Sequence, residues 1–180
     1  MNSRLNVELI EVSGFVSCLR ALRLPFGKEV RSVTCSYNNT TSNSIEYRGQ
    51  VIWDDKDRKL LSRLILNGDE HAKVMRGVRA HLEISAPRWW WVEMDTYRAG
   101  TERLSSESTM HIDSKGLSGE ELMAFKDELK EGKVQKRIQD FSYQTLRRIY
   151  NQRKNHRLPI WHEFCTFIET LPMSELIIGK

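Results

Sequence analysis

An α+β fold, helix-rich toward its C-terminal end, is predicted by three features of the sequence. Leu5 to Val12 alternates apolar and polar residues, the period of a half-buried strand. Val78, Ala80, Leu82 and Ile84 alternate against charged residues in the same way. Beyond Ser118 the apolar residues fall three and four apart, which is helical spacing.

Taken in order, the Leu5–Val12 strand leads into a helix from Phe15 to Leu24, stopped by Pro25. Thr34 to Gln50 is rich in Asn, Ser and Thr, whose side chains compete for backbone hydrogen bonds, so a polar loop or excursion is expected at about 34–50. Asp55 to Leu66 puts Leu60, Leu61, Leu64 and Ile65 on one helical face, with Asn67-Gly68 as its stop. The second strand is expected over Val74 to Ile84, and Pro87 fits the first position of the helix that follows. Ser105, Ser106 and Ser108 come after Gly100 in an expected loop. Ser118 to about Lys130 is expected as a polar helix, with Ser118 and Glu121 forming a capping box. Ser142 to Asn155 is a basic amphipathic helix with Leu146, Ile149 and Tyr150 inward. Pro159 opens a last helix carrying Trp161, Phe164, Cys165, Phe167 and Ile168. Nothing in the 180 residues divides the chain, so one domain over 1–180 is expected.

A hydrophobic fraction of 39% with 29% charged residues excludes a disordered chain. Lys+Arg exceeds Asp+Glu by 28 − 24 = 4, which suits a phosphate-bearing ligand but does not establish nucleic-acid binding. Cys18, Cys35 and Cys165 form no CxxC pair and give neither a disulfide framework nor a zinc knuckle. The opening MNSRLNVELIEVSG lacks the apolar run of a secretory signal, and no later run could span a bilayer. A cytoplasmic, reducing location is the expectation, so the sequons at Asn38 and Asn39 carry no glycan.

The chemistry concentrates in APRWWWVEMDTYRAGTERLSSESTMH, residues 86–111. On a helix Trp90, Met94 and Tyr97 form one apolar stripe, while Trp89 and Trp91 point elsewhere. Those two indoles either bury a second face at a subunit interface or stack against a planar ligand. Glu93 and Asp95 can act as bases, metal ligands or acceptors for a base edge, and Arg98 is placed to pair with Asp95 at i+3. The serines offer hydroxyl and amide donors of the kind that hold phosphate. Of the basic group Arg147, Arg148, Arg153, Lys154 and Arg157, the plain expectation is a solvated face. His156 and His162 lack the i, i+4 spacing of a helical metal pair, so no metal is expected. Cys165, among Phe164, Phe167 and Ile168, reads as a buried inert thiol.

This order of residues resembles the flavin-dependent thymidylate synthase family, the ThyX type. That family has a glycine-histidine segment, a strand, an Ala-Pro opening a helix, a Gln, the triplet Arg-His-Arg and then Ser-x-Arg-Tyr. Here Ala86-Pro87 opens the helix, Glu93 takes the Gln position, and Thr96-Tyr97-Arg98 takes the triplet, of which only the last arginine survives. His71, in GDEHAK, falls near the histidine that lies by the flavin. Ser108 matches the serine beside the nucleotide, but Thr109-Met110-His111 replaces x-Arg-Tyr. In FSYQTLRRIYNQRKNHRLPIWHEF, Leu146, Arg153 and Trp161 match the family's leucine, nucleotide-binding arginine and tryptophan, and Arg137 stands for another phosphate-binding arginine. The chain is most similar to motif-degenerate, phage-encoded relatives of that family that share its WW, DTY(R/K), STMH and RKNH signatures and its IETLP ending.

The resemblance implies a small antiparallel sheet packed with helices and a homotetramer, or other homo-oligomer, with ligand pockets between subunits. The resemblance implies ligand-binding roles for His71, Glu93, Tyr97, Arg98, Ser108, Arg137 and Arg153, and the residues read on their own add Arg88, Trp89, Trp91, Ser105, Ser106 and Arg147 to the expected ligand-binding set. The resemblance assigns no catalytic residue. Members methylate dUMP with reduced flavin and a folate, yet three cationic or strongly donating positions are lost here. Each charged hydrogen bond is worth about 1.5–3 kcal/mol, so standard thymidylate synthesis is not expected. The expected function is binding or sequestration of a nucleotide or dinucleotide, an ADP-ribose-like or cyclic-nucleotide immune signal, with no cofactor and with the phage's host cytoplasm as its location. The alternative is an FAD-dependent methyl- or hydroxymethyltransferase of pyrimidine nucleotides, with Glu93 reading a different base edge. A third reading is a structural or protein-binding oligomer.

Overall fold

Residues 4–27, 35–36, 50–51 and 55–179 are described by a computed structural model of the chain. Four strands form one antiparallel sheet: β1 (Asn6–Ser13), β4 (Arg79–Pro87), β5 (Thr101–Ser106) and β6 (Val134–Ser142), in the order β1-β4-β6-β5. A separate two-residue ribbon pairs β2 (Cys35–Ser36) with β3 (Gln50–Val51). That ribbon closes the base of the expected 34–50 excursion, whose residues 37–49 lie outside the described residues.

The helices are α1 (Phe15–Arg23), α2 (Asp55–Leu66), α3 (Arg88–Met94), the short α4 (Thr109–Ile112), α5 (Gly119–Asp127), α6 (Tyr143–Arg153), α7 (Pro159–Glu169) and the short α8 (Glu175–Ile178). The α+β class and the crowding of helices toward the C-terminus stand as expected. Ala80, Leu82, Ile84 and Ala86 on the inward side of β4 are buried with Phe15 and Leu19 of α1, Leu61 and Ile65 of α2, and Leu146 and Ile149 of α6. Trp90, Trp161 and Phe164 complete one continuous core with them. Gly14, between β1 and α1, is a position where only glycine serves, since its φ is +88° and a Cβ would run into the Gly77 carbonyl.

Several expectations change. The second strand begins at Arg79, because Lys73–Gly77 winds into a 3-10 turn, and it runs through Ala86 to Pro87. Pro87 is extended (φ −60°, ψ 148°) and caps α3, one residue before the helical position expected for it. Thr101–Ser106 is an edge strand, so Ser105 and Ser106 lie on a sheet and not in a loop. The capping box at α5 does not form: Ser118 makes no side-chain cap bond, and the helix ends at Asp127, short of Lys130. The helix opened by Pro159 is followed by α8. The largest addition is β6, which pairs with both β4 and β5. Its inward positions include the buried Arg137, Gln139 and Phe141, so two polar residues sit where strand periodicity leads one to expect apolar ones.

Ser118 and Ser142 are both helix N-caps, yet only Ser142 accepts a cap hydrogen bond, from the Thr145 amide at 3.1 Å. Ser142→Ala is therefore expected to lower stability by about 1 kcal/mol, and Ser118→Ala to stay within about 0.5 kcal/mol of the parent. Urea denaturation midpoints of the two variants measure the contrast.

Candidate functional site

Three helices converge on one side chain. Glu93, in the last turn of α3, places Oε2 at 2.9 Å from Arg153 Nη1 of α6 and 2.9 Å from Trp161 Nε1 of α7, and both donate to it. The Arg153 guanidinium lies over the Trp161 ring at 4.4 Å from its centre, and its Nε donates to the Tyr97 hydroxyl at 2.8 Å. That hydroxyl donates in turn to Gln152 Oε1 at 2.9 Å. His156 Nε2 completes the group at 2.9 Å from Arg153 Nη1. The sequence singled out Glu93, Tyr97 and Arg153 separately, and the fold joins them into one network. Charge-assisted bonds to a partly buried carboxylate and a stacked indole commit the Arg153 charge to the protein itself.

Arg137 is committed in the same way. Its Nη1 donates to both Asp95 carboxylate oxygens at 2.9 and 3.0 Å, and its Nε to Gln135 Oε1 at 3.1 Å. The guanidinium sits 4.3 Å from the centre of the Trp91 ring. Asp95, at the C-terminal end of α3, therefore pairs with Arg137 of β6, where the sequence suggested Arg98 at i+3; Arg98 is exposed. Trp91 is fully buried and donates its indole N–H to the Gln135 carbonyl at 2.9 Å, Trp90 is likewise fully buried, and Trp89 is half-buried. Of the tryptophan run, Trp89 alone keeps a surface open to solvent in the chain.

A different place offers cations without counter-ions. A cavity of about 370 Å³ opens between the turn after α3, the start of α6 and the segment before β4, with Arg76, Gly100, Ser142, Gln144, Thr145 and Arg148 in its wall. Its geometry follows from Gly100, whose φ of +77° folds the chain back and whose carbonyl accepts from the Ser142 amide at 2.8 Å. A Cβ at Gly100 would run into the Ser142 and Thr145 hydroxyls. Thr145 Oγ1 donates to the Ala99 carbonyl at 2.7 Å, and Arg148 Nη2 reaches the same carbonyl at 3.3 Å. Arg76 Nε donates to Gln144 Oε1 at 2.6 Å, and Gln144 Nε2 to the Asp69 carbonyl at 2.8 Å. Among the described residues neither Arg76 nor Arg148 has a carboxylate within ion-pair distance, and Arg148 Nε is buried without an acceptor. Two guanidiniums beside hydroxyls and an amide can hold an anionic ligand and hydrogen-bond its neutral part.

The remaining expected residues are dispersed. His71 is exposed on the loop that carries Asp69, 3.8 Å from the Glu70 carboxylate. Arg88 opens α3 and helps line a smaller cavity, about 170 Å³, with Glu107, Thr109 and Lys133. Ser105 and Ser106 are exposed on β5, and Ser108 caps α4 by accepting from the Met110 amide at 3.2 Å. Arg147 donates to the Ile177 carbonyl at 3.0 Å and so fastens the C-terminal helix. The cavity residues Arg76, Gln144 and Thr145 were not singled out from the sequence. The signal was a glycine after the tryptophan helix facing a polar first turn of α6. Among the described residues no His, Cys, Asp and Glu group could hold a metal ion, and no helix is long and apolar enough to cross a membrane.

No protein-family profile matches this sequence, and no curated protein matches it. Solved structures do. A crystal structure of thymidylate synthase X from Helicobacter pylori with FAD and dUMP superposes with a TM-score of 0.65 at 12% identity, covering 97% of each chain. A second, of the flavin-dependent thymidylate synthase ThyX of that organism complexed with FAD and dUMP, gives a TM-score of 0.67 at 12% identity, covering 97% of this chain and 98% of the other. The chain has the ThyX fold.

Two outcomes follow from the site's construction. Gly100→Ala, strained in both backbone and space, is expected to cost more than about 1 kcal/mol in urea denaturation. Burial raises the thiol pKa of Cys18 to about 12 and of Cys165 to about 11, so at pH 8 only about one in a thousand or fewer is thiolate. In a Cys35→Ser background, a thiol reagent is expected to label the native protein negligibly and to label both cysteines once denatured.

Proposed function

We propose that this chain binds a nucleotide-type ligand on a ThyX scaffold and retains it, without carrying out standard thymidylate synthesis. The carrying observation is the cavity beside Gly100, where Arg76 and Arg148 stand without carboxylate partners among the described residues. Phosphate or pyrophosphate meets the two guanidiniums, with Gln144, Thr145 and Ser142 forming the neutral polar wall beside them. A cavity of about 370 Å³ in one chain is of the size that takes a small organic ligand. An ADP-ribose-like or cyclic-nucleotide immune signal, sequestered on behalf of a phage, is the ligand this reading favours, in a homo-oligomer whose neighbouring subunits add to the pocket.

Sequestration is favoured over turnover because the two arginines matched to nucleotide binding are already paired, Arg153 with Glu93 and Arg137 with Asp95. A phosphate at either must displace a carboxylate first, which removes much of the 1.5–3 kcal/mol or so that a charged hydrogen bond contributes.

The second reading, a flavin-dependent pyrimidine-nucleotide transferase, rests on the FAD and dUMP present in the two solved structures of this fold. The Arg76 and Arg148 pair suits the diphosphate of such a cofactor. The triplet position does not suit its ring, because Tyr97 is buried with its hydroxyl held by Arg153 and Gln152. No chemical step is therefore routed through a flavin.

The test is a melting-temperature screen of the purified protein against ADP-ribose, cyclic nucleotides, dUMP, dCMP and FAD, with mass spectrometry of small molecules extracted from it. A ligand at 100 times its Kd stabilises by about 2.7 kcal/mol, a shift of several degrees. Arg148→Gln and Arg76→Gln are each expected to weaken binding about tenfold or more. A screen with no shift would leave the structural or protein-binding oligomer; flavin absorbance with product formation would establish the transferase.

A further inference from the structure

The bonds around Glu93 have the form of a ligand complex in which the ligand is the protein's own carboxylate. One oxygen, Oε2, is held by Arg153 Nη1 and Trp161 Nε1, both at 2.9 Å, with His156 Nε2 at 4.0 Å. The two donors come from the end of α6 and from α7, so they are fixed independently of the helix that carries Glu93. Arg153 is additionally positioned from below by the Trp161 ring at 4.4 Å and from its Nε by the Tyr97 hydroxyl at 2.8 Å. Its side chain is only 16% exposed, whereas that of Glu93 is 32% exposed, so solvent reaches the group from the carboxylate side.

We propose that Arg153 and Trp161 form an oxyanion cage, that Glu93 fills it as an internal counter-ion, and that a carboxylate or phosphate group of a ligand enters only by displacing Glu93. Glu93 is then the residue that sets charge selectivity here: while it is ionised the cage is already neutralised, and a weak or singly charged anion does not compete. The geometry that supports this is the convergence of donors on one oxygen. An arginine that merely needed a surface partner would not also bring an indole N–H to the same atom. The inference stands apart from the cavity at Arg76 and Arg148, and holds whether or not a nucleotide binds there.

The experiment is chemical rescue. Glu93→Ala removes the carboxylate and leaves its donors in place, so the melting temperature of this variant is expected to fall. Sodium acetate or inorganic phosphate, in the millimolar range, is expected to restore it saturably, relative to sodium chloride at equal ionic strength. Adding Arg153→Met is expected to abolish the restoration. Equal responses to acetate and chloride, or undiminished rescue in the double variant, would overturn the proposal. Should Glu93→Ala not fold, the isosteric Glu93→Gln keeps the shape and removes the charge. Calorimetry is then expected to show at least tenfold tighter phosphate binding than the parent, and no gain would overturn the proposal. The same gain in an Arg148→Gln background separates the cage from the cavity, and its loss there would also count against it.

Discussion

One carboxylate oxygen ties the tryptophan helix to the two helices that follow the sheet. Glu93 Oε2 accepts from Arg153 and Trp161, and so joins the end of α3 to the end of α6 and the start of α7. The contact lies at the edge of the aromatic core, where Trp90 stacks 4.9 Å from Trp161 and 5.5 Å from Phe164, centre to centre. Apolar burial drives these rings together but is non-directional. The hydrogen bonds to Glu93 fix how the end of α3 docks on α6 and α7, which pack on each other through their own apolar faces. The elements that line the cavity inherit that arrangement, since Arg148 and Thr145 lie on α6 and Gly100 on the turn leaving α3.

The same economy governs β6. A central strand is expected to be apolar on its buried side, yet this one places Arg137 and Gln139 there. Arg137 is tolerated because Asp95 neutralises it, Gln135 accepts from it and the Trp91 ring covers its face. Trp91 is thereby explained without a ligand: its ring faces a guanidinium and its N–H bonds to the backbone of β6. Gln139 has no comparable account, and its Oε1 is buried without a partner among the described residues.

Sequence periodicity revealed the elements whose buried side is apolar and hid those whose buried side is not. Helices α1, α2, α6 and α7 and strands β1 and β4 were legible because Leu19, Leu61, Leu146, Phe164 and Leu82 recur at the spacing their geometry dictates. β6 was hidden by Arg137 and Gln139, and β5 because an exposed edge strand of sequence TERLSS has no apolar alternation to display. The ThyX fold, by contrast, was accessible through the order of short motifs, even where the individual residues had changed. The candidate site was half legible. Glu93, Tyr97 and Arg153 were marked by type and position, but Gln144, Thr145 and Arg76 are ordinary residues made relevant only by the positive φ of Gly100.

What a linear reading cannot supply is the pairing of charges, on which the proposed function rests. A net charge of +4 suits a phosphate-bearing ligand, and the row of arginines on α6 reads in sequence as a solvated face. In the fold those arginines separate into different roles. Arg147 fastens the C-terminal helix through the Ile177 carbonyl, Arg153 is held by Glu93, and Arg148 turns to the cavity with a buried nitrogen that lacks an acceptor among the described residues. A cation already matched by a carboxylate contributes little to a ligand's phosphate, because the gain of the new contact is offset by the loss of the old one. On the proposed reading, anion affinity follows the arginines left unmatched among the described residues, Arg76 and Arg148 beside Gly100, and Arg148 lies five residues before Arg153, the arginine that motif matching marks for the nucleotide.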